Sequence, residues 1–398
     1  MFDLIKMLLV FILLIILLRM RWHIGIVMCI GALFFAILYL MPPEKVLNTT
    51  YKSLTSSMSL KLLLALSFIR SFELILREKG LLSRITEATG SLLRKRRLVI
   101  ISMPLLIGML PSLGGAYFSA PMVEDSSRGL NLSNEHKAYL NYWFRHPWEL
   151  ILPLYPGIVL ASAVTEIPLR RLILINLPVA IGMVIMGFLI GLRKINGNID
   201  KGDAMPGIKE VLIPLIPIIV VIGGVAIFGI ELYQILIVTL IGLCIFYKES
   251  FQGIGRLLKY GFSKDVFLLI AGVVLIKGMM EASGAVGGLD RYFVESGVPV
   301  ILIAFIMPFI AGLLTGLVVG FIGSTFPLLI AMAGHDISLL SFAFVSGYTG
   351  VLLSPVHLCL VLTREYFKAD MMGIYRRLLP GIIVMLMLSV VIYAAIKS

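Results

Sequence analysis

Apolar runs close to a membrane thickness in length follow one another along almost the whole chain, separated by short polar stretches. They occupy roughly 4–18, 22–41, 60–76, 98–123, 139–163, 172–192, 211–230, 232–247, 265–280, 299–333, 341–363 and 379–396. A helix needs about 20 such residues to cross hydrocarbon. The pattern therefore predicts an all-α polytopic membrane protein with about 10–12 hydrophobic segments. Two segments break the rhythm. The stretch 98–123 carries Pro104, Pro111, Gly114, Gly115 and Pro121, and the stretch 299–333, too long for one crossing, carries Pro308, Gly312, Gly316, Gly320, Gly323 and Pro327. Glycine and proline at this density interrupt helices, and interrupted backbone at membrane depth survives only against protein or a water-filled cavity. The plainer reading of either segment alone is a kinked or glycine-packed helix pair.

Composition excludes a water-soluble chain: 59% of the 398 residues are apolar and 14% are charged, against about 25% charged in soluble domains. The formal charge of +12 does not signal nucleic acid, because the basic residues punctuate apolar runs. They orient the helices instead, since cytoplasmic loops collect lysine and arginine. Cys29, Cys244 and Cys359 lie in separate apolar runs without CxxC spacing, and no histidines cluster along the chain. Neither a disulfide framework nor a zinc or iron–sulfur site is expected, and no cofactor beyond a coupling ion. The start carries Asp3 and Lys6 but no basic region or small-residue cleavage site, so it reads as a retained helix and not a signal peptide.

The most basic loop, 77–97, holds Arg77, Lys79, Arg84, Arg94, Lys95, Arg96 and Arg97 and is expected to be cytoplasmic. Alternating from it puts Arg19, Arg21 and the loops 193–209, 248–264 and 364–377 inside and 42–59 outside. Arg170 and Arg171 fall outside in this scheme. An internal repeat supports it. Shifted by 204 positions, Gly80 falls on Gly284, Met103–Pro104 on Met307–Pro308, Gly108 on Gly312 and Leu110 on Leu314; at a shift of 206, Ser119-Ala120-Pro121 falls on Thr325-Phe326-Pro327. Further on, Pro153 matches Pro355. The loop before Met103 is basic, whereas its counterpart, 281–298, has only Arg291 among Glu281, Asp290 and Glu295. Corresponding loops on opposite sides are what two repeats of inverted topology require, an architecture common among secondary transporters.

The segments Leu113-Gly-Gly-Ala-Tyr-Phe-Ser-Ala-Pro-Met122, Asn141-Tyr-Trp-Phe-Arg-His-Pro-Trp-Glu149 and Gly347-Tyr-Thr-Gly-Val-Leu-Leu-Ser-Pro-Val-His-Leu-Cys359 resemble a prokaryotic integral membrane family, domain of unknown function 401. That family is grouped with the ion transporter superfamily of gluconate, citrate and dicarboxylate carriers, arsenite exporters and sodium/proton antiporters. The resemblance spans essentially the whole chain and implies a multi-pass protein of the prokaryotic cell membrane. It also implies two inverted repeats, each with a re-entrant hairpin followed by a broken helix, and a binding site between the hairpin tips. On this reading 1–192 is the N-terminal repeat, with a hairpin at about 98–123 and a broken helix at about 139–163. A cytoplasmic linker, 193–210, leads to the C-terminal repeat, 211–398, with a hairpin at about 299–333 and a broken helix at about 341–363. Dicarboxylate carriers hold sodium and substrate with a Ser-Asn-Thr motif at the tips. Here the tips read Phe118-Ser119-Ala120 and Gly323-Ser324-Thr325, without the Asn, so neither sodium coupling nor a dicarboxylate follows from the motif.

Helix N-termini and hydroxyls at such tips favour a small anionic or polar solute. The expected substrate-binding residues are Gly114, Gly115, Ser119, Asn141, Gly323, Ser324, Thr325, Thr349, Ser354 and His357, with Na+ expected, if it is the coupling ion, near Ser119, Ser324 and Thr325. The rival reading of the glycines is close helix packing, and that of His357 is an ordinary packed histidine. Glu149, in an apolar stretch, is the proton-coupling candidate, because intramembrane carboxylates are costly and usually functional. Its rival role is a local ion pair with Arg145. Together these readings predict a secondary active transporter working by alternating access, coupled to H+ or Na+, with lipid as its surroundings and a homodimer through 4–41 and 211–247. The alternatives are a passive channel or an intramembrane enzyme; the absence of HExxH and GxSxG weighs against the enzyme, and the absence of GxxxxGK[ST] weighs against a nucleotide-driven pump.

Overall fold

The computed structural model describes residues 2–20, 22–81, 84–85, 93, 95–111, 115–193, 195–197, 208–284 and 299–397. Gly114, Arg94, Asp290, Arg291, Glu295 and most of the 193–210 linker lie outside them, as does much of the basic loop. The described chain is helical, with no β-strand among the described residues. Its first half runs α1 (Phe2–Arg19), α2 (Ile24–Leu38), α3 (Pro43–Thr55), α4 (Ser57–Glu78), α5 (Arg96–Gly108), α6 (Gly115–Ser126), α7 (Asn134–Trp143), α8 (Pro156–Thr165) and α9 (Leu169–Gly187), which continues as a π-helical turn to Leu192. The second half runs α10 (Ile208–Ala226), α11 (Leu232–Phe246), α12 (Phe251–Gly261), α13 (Lys264–Ser283), α14 (Val300–Thr315), α15 (Val318–Ala333), α16 (Ile337–Leu353), α17 (Leu358–Phe367) and α18 (Met371–Lys397).

Among the described residues, four helical stretches, Leu169–Leu192, Phe251–Ser283, Ile337–Phe367 and Met371–Lys397, are long and apolar enough to cross a membrane. Their outer faces carry Ile181, Ile185 and Leu189 on α9 and Ile383, Met387 and Val391 on α18, all about half exposed or more, a surface that water would oppose and hydrocarbon accepts. The opposite extreme is α16, in which every residue from Ser338 to Leu352 is buried. It is the central post of the molecule.

Two expectations are corrected. The segments 42–59 and 248–264 are not plain loops: Pro43 and Ser250 start helices α3 and α12, the first with Pro at its N-terminal turn and the second capped by the Ser250 hydroxyl on Gly253 N–H. Their polar residues fall on one helical face, a period of 3.6 that a search for long apolar runs passes over. The long segment 299–333 is indeed two helices, but it breaks at Thr315–Gly316–Leu317, where Gly316 has φ +65°, and not beside Gly320 and Gly323, which lie inside α15.

Helices of the first half pack on helices of the second. Helix α2 packs on α13 and α11 on α4; α3 packs on α13 and α12 on α4; α6 packs on α17 and α15 on α8; α9 packs on α18. Contacts this close need missing side chains. A Cβ on Gly312 of α14 would strike Gly347 O of α16, and one on Gly350 would strike Phe309 O. Likewise a Cβ on Gly108 of α5 would strike Arg145 O.

Because the neighbour of Gly312 is backbone and cannot turn aside, Gly312→Ala is expected to cost about 1–3 kcal/mol, read as a lowered unfolding temperature in detergent. Gly242→Ala, facing open space, should leave it unchanged. The start of α16 supplies a second test. The Asp336 carboxylate accepts from Ser338 N–H at 2.9 Å, Ser338 Oγ at 2.6 Å and Leu339 N–H at 3.2 Å. Partial burial pushes its pKa up, but these bonds and nearby Lys397 outweigh that and hold it below the ordinary value. Asp336→Ala should cost about 1 kcal/mol. A depressed carboxyl stabilises above its unfolded pKa, about 3.9, and loses that contribution as pH falls through the folded value. The difference between wild type and Asp336→Ala should therefore be full at pH 7 and shrink under acid titration.

Candidate functional site

Both long buried helices of the centre are interrupted by proline. Helix α7 ends at Trp143 because Pro147 lacks an N–H and its ring would crowd the Trp143 carbonyl; a 3-10 turn, Pro147–Leu150, follows before α8 begins at Pro156. Helix α16 ends at Leu353, since Ser354 precedes Pro355 and is driven to extended backbone, φ −68°, ψ 123°, and α17 restarts after His357. Each break frees carbonyls that an apolar interior cannot leave bare. Side chains cap them. Tyr348 Oη donates to His146 O at 2.6 Å, Tyr142 Oη to Leu352 O at 3.0 Å and Tyr375 Oη to Leu353 O at 2.9 Å. Asn176 Nδ2 donates to Leu150 O at 3.3 Å, and from the first break Tyr155 Oη donates to Gly108 O at the end of α5.

The two breaks face each other. His146 and His357, distant in sequence, approach with their Nε2 atoms 3.1 Å apart. His146 Nδ1 lies 2.5 Å from Tyr142 O and His357 Nδ1 lies 2.8 Å from Gly316 O. Cys359 joins them: its Sγ and the histidine nitrogens all lie within 4.8 Å of one another. The Glu149 carboxylate stands 3.8 Å from His146 Nε2, with its side chain 13% exposed. Arg145 is buried at the same break. The sequence expectation of scattered histidines and cysteines is thus overturned in space, by a break-to-break contact that spacing along the chain does not reveal.

The expected site residues divide. His357, Ser354 and Glu149 lie at the breaks, Ser354 as the C-cap of α16. Asn141 sits nearby, buried, donating to Ala116 O at 2.9 Å and to Thr363 Oγ1 at 3.1 Å, with its Oδ1 unpartnered. Ser119, Gly323, Ser324 and Thr325 do not lie at open helix tips. Gly115 opens α6, and Ser119 Oγ bonds back to Gly115 O and Ala116 O at 3.3 Å. Ser324 and Thr325 stand a turn or more inside α15 and donate to Gly320 O at 2.8 Å and Phe321 O at 2.7 Å. Their backbone N–H groups belong to the helix, so they offer no anion cradle. Thr349 likewise bonds to Ser346 O at 2.8 Å within α16. A separate cavity of about 430 Å³, lined by Lys61, Glu166, Arg170 and Glu231 among others, lies between α4 and α8 and includes none of the expected site residues.

Residues 3–396 match the family described as protein of unknown function (DUF401). The chain belongs to that family. No curated protein matches the chain. For this DUF401 member the chemistry therefore has to be argued from the break-to-break cluster itself. The residues that sequence reasoning passed over are His146, Cys359 and the capping tyrosines. Two local signals pointed to them: a His-Pro pair at a helix end, and the His357-x-Cys359 spacing after Pro355.

Tyr348→Phe removes the donor to a buried carbonyl at the cluster and is expected to cost about 1–3 kcal/mol in thermal unfolding. Tyr51→Phe, at an exposed position, should change nothing by the same measurement.

Proposed function

We propose that this protein is a secondary active transporter that moves a small anionic or polar solute by alternating access. The observation that carries the reading is that two proline-broken helices meet at their breaks, around buried ionisable groups, inside an otherwise apolar helical protein. Broken helices facing each other near mid-depth are how carriers build a site whose two sides can open in turn.

The repeat reading finds support in corresponding contacts. Gly108 approaches Arg145 O as Gly312 approaches Gly347 O, and Trp148 Nε1 donates to Leu105 O at 2.7 Å where the corresponding Gly350 approaches Phe309 O. In the register that pairs Pro153 with Pro355, His146 corresponds to Tyr348, and these two residues bond to each other. A residue touching its own counterpart lies on a twofold axis. We read that axis as lying in the membrane plane, relating 1–192 to 211–398 in inverted topology, with the basic loop 77–97 cytoplasmic and each helix–break–helix unit, α5–α6 and α14–α15, re-entrant. Membership in the ion transporter superfamily is part of the same proposal.

Of the two coupling ions, geometry favours the proton. Glu149 is a largely enclosed carboxylate beside a histidine pair, a setting in which protonation changes the net charge of the site. The hydroxyls of Ser119, Ser324 and Thr325, the alternative sodium donors, are engaged within their own helices.

The test is uptake into liposomes from a panel of organic carboxylates and oxyanions, with and without imposed pH and sodium gradients. Saturable uptake driven by the pH gradient, and stimulated by counter-substrate, is expected, and Glu149→Gln should abolish the pH drive while the protein elutes and unfolds as wild type. Non-saturable flux would make the protein a channel, and an unchanged pH dependence in Glu149→Gln would remove the carboxylate from coupling.

A further inference from the structure

The two histidines at the breaks pose a problem in proton placement. A carbonyl oxygen can only accept, so the bonds from His146 Nδ1 to Tyr142 O and from His357 Nδ1 to Gly316 O require a proton on each Nδ1. Each neutral ring then presents a bare lone pair at Nε2. Those two lone pairs point into one space, 3.1 Å apart. Two acceptors at that distance repel unless something positive lies between them.

We propose that a single d-block cation of borderline-to-soft character, of the Zn2+ type, binds here through His146 Nε2, His357 Nε2 and Cys359 Sγ. The separations suit it. Two imidazole nitrogens about 2.0–2.1 Å from a tetrahedral ion stand about 3.3 Å apart, close to the observed 3.1 Å. The thiol, within 4.8 Å of both nitrogens, reaches the ion by a small side-chain adjustment. Both rings already have the outer support that metal-ligating histidines need, a backbone acceptor on the far nitrogen that fixes tautomer and ring plane. Imidazole and thiolate together select zinc-like or copper-like ions over Na+, Mg2+ or Ca2+, which prefer oxygen donors. Binding replaces the S–H bond with a metal–sulfur bond and releases one proton to solvent.

The fourth position faces the Glu149 carboxylate, 3.8 Å from His146 Nε2. Thiolate and carboxylate together supply two negative charges against the ion's two positive ones, and the buried Arg145 at the same break leaves the cluster one positive charge in excess, which an anionic ligand in the fourth position would offset. Three protein donors and one further position is the pattern of sites that exchange a ligand, as opposed to closed structural sites. The inference stands on the histidine–cysteine geometry alone and does not require that the protein be a transporter.

The experiment uses the full-length, tag-free protein in detergent, stripped with chelator and then dialysed against Co2+ or Zn2+. One equivalent of metal per chain should be retained, and the Co2+ form should show a thiolate-to-cobalt charge-transfer band in the near ultraviolet. Cys359→Ser should lose that band. His146→Gln and His357→Gln should each weaken retention by more than about tenfold, with Cys29→Ser as a control that changes neither reading. No retained metal, or a cobalt spectrum unaltered in Cys359→Ser, would overturn the proposal and leave a proton shared between the two rings as what fills the gap. Liposome flux separates this outcome from the transport reading. Flux by protein that binds no metal would defeat the metal site alone, and stoichiometric binding without flux would uphold the site and defeat transport alone.

Discussion

Everything at the centre of this protein depends on satisfying backbone carbonyls that proline has released. In an apolar interior a bare carbonyl costs several kcal/mol, so a helix can be broken there only where donors are built in beside the break. Tyr142, Tyr348, Tyr375 and Asn176 are those donors, each reaching from another element to a carbonyl at one of the two interruptions. The tyrosines suit the task because an aromatic body packs like a core residue while its hydroxyl finds the polar target. The same bonds tie the breaks together, since Tyr142 of α7 serves the end of α16 and Tyr348 of α16 serves the end of α7. Neither break is independent of the other.

Close helix packing is the second requirement, and here glycine does what no other residue can. The approach of α14 to α16 is backbone against backbone at Gly312 and Gly350, and α5 meets the first break at Gly108 in the same way. Without a hydrophobic drive between helices in lipid, such contacts supply much of the association. They also explain why the glycine-rich segments do not all form open loops. Gly320 and Gly323 lie within α15, where Gly323 faces Met28 and Val273 and Gly320 faces Thr315 and Leu317 of the preceding turn. Between α14 and α15 it is Gly316, with its positive φ, that marks the turn.

The helical class and the apolar bulk were legible in the sequence because both rest on composition and on run length. So were the two interrupted segments, since proline and glycine act locally. Helices α3 and α12 were not, because their apolar residues recur at helical spacing without forming a run. The cluster at the two breaks was legible only in part. His357, Ser354 and Glu149 could be picked out as polar residues in apolar surroundings, whereas His146 and Cys359 gain meaning only when two breaks, 211 positions apart at their histidines, come into contact. Ser324 and Thr325 misled for the opposite reason. Hydroxyls beside proline look like tip residues in one dimension, yet a helix that begins at Val318 has already absorbed them.

The contact between Gly316 and His357 carries a mechanical consequence. The acceptor that fixes the His357 ring is not on its own helix but on the turn between α14 and α15. Should that helix pair shift against α17 by even an ångström or two, the bond stretches beyond its useful length and the ring regains the freedom to exchange tautomers. Its inward nitrogen would then cease to be a fixed lone pair. The electronic character of the cluster is therefore geared to the relative position of two structural bodies, so that displacement of one against the other is written directly into which nitrogen of His357 faces His146.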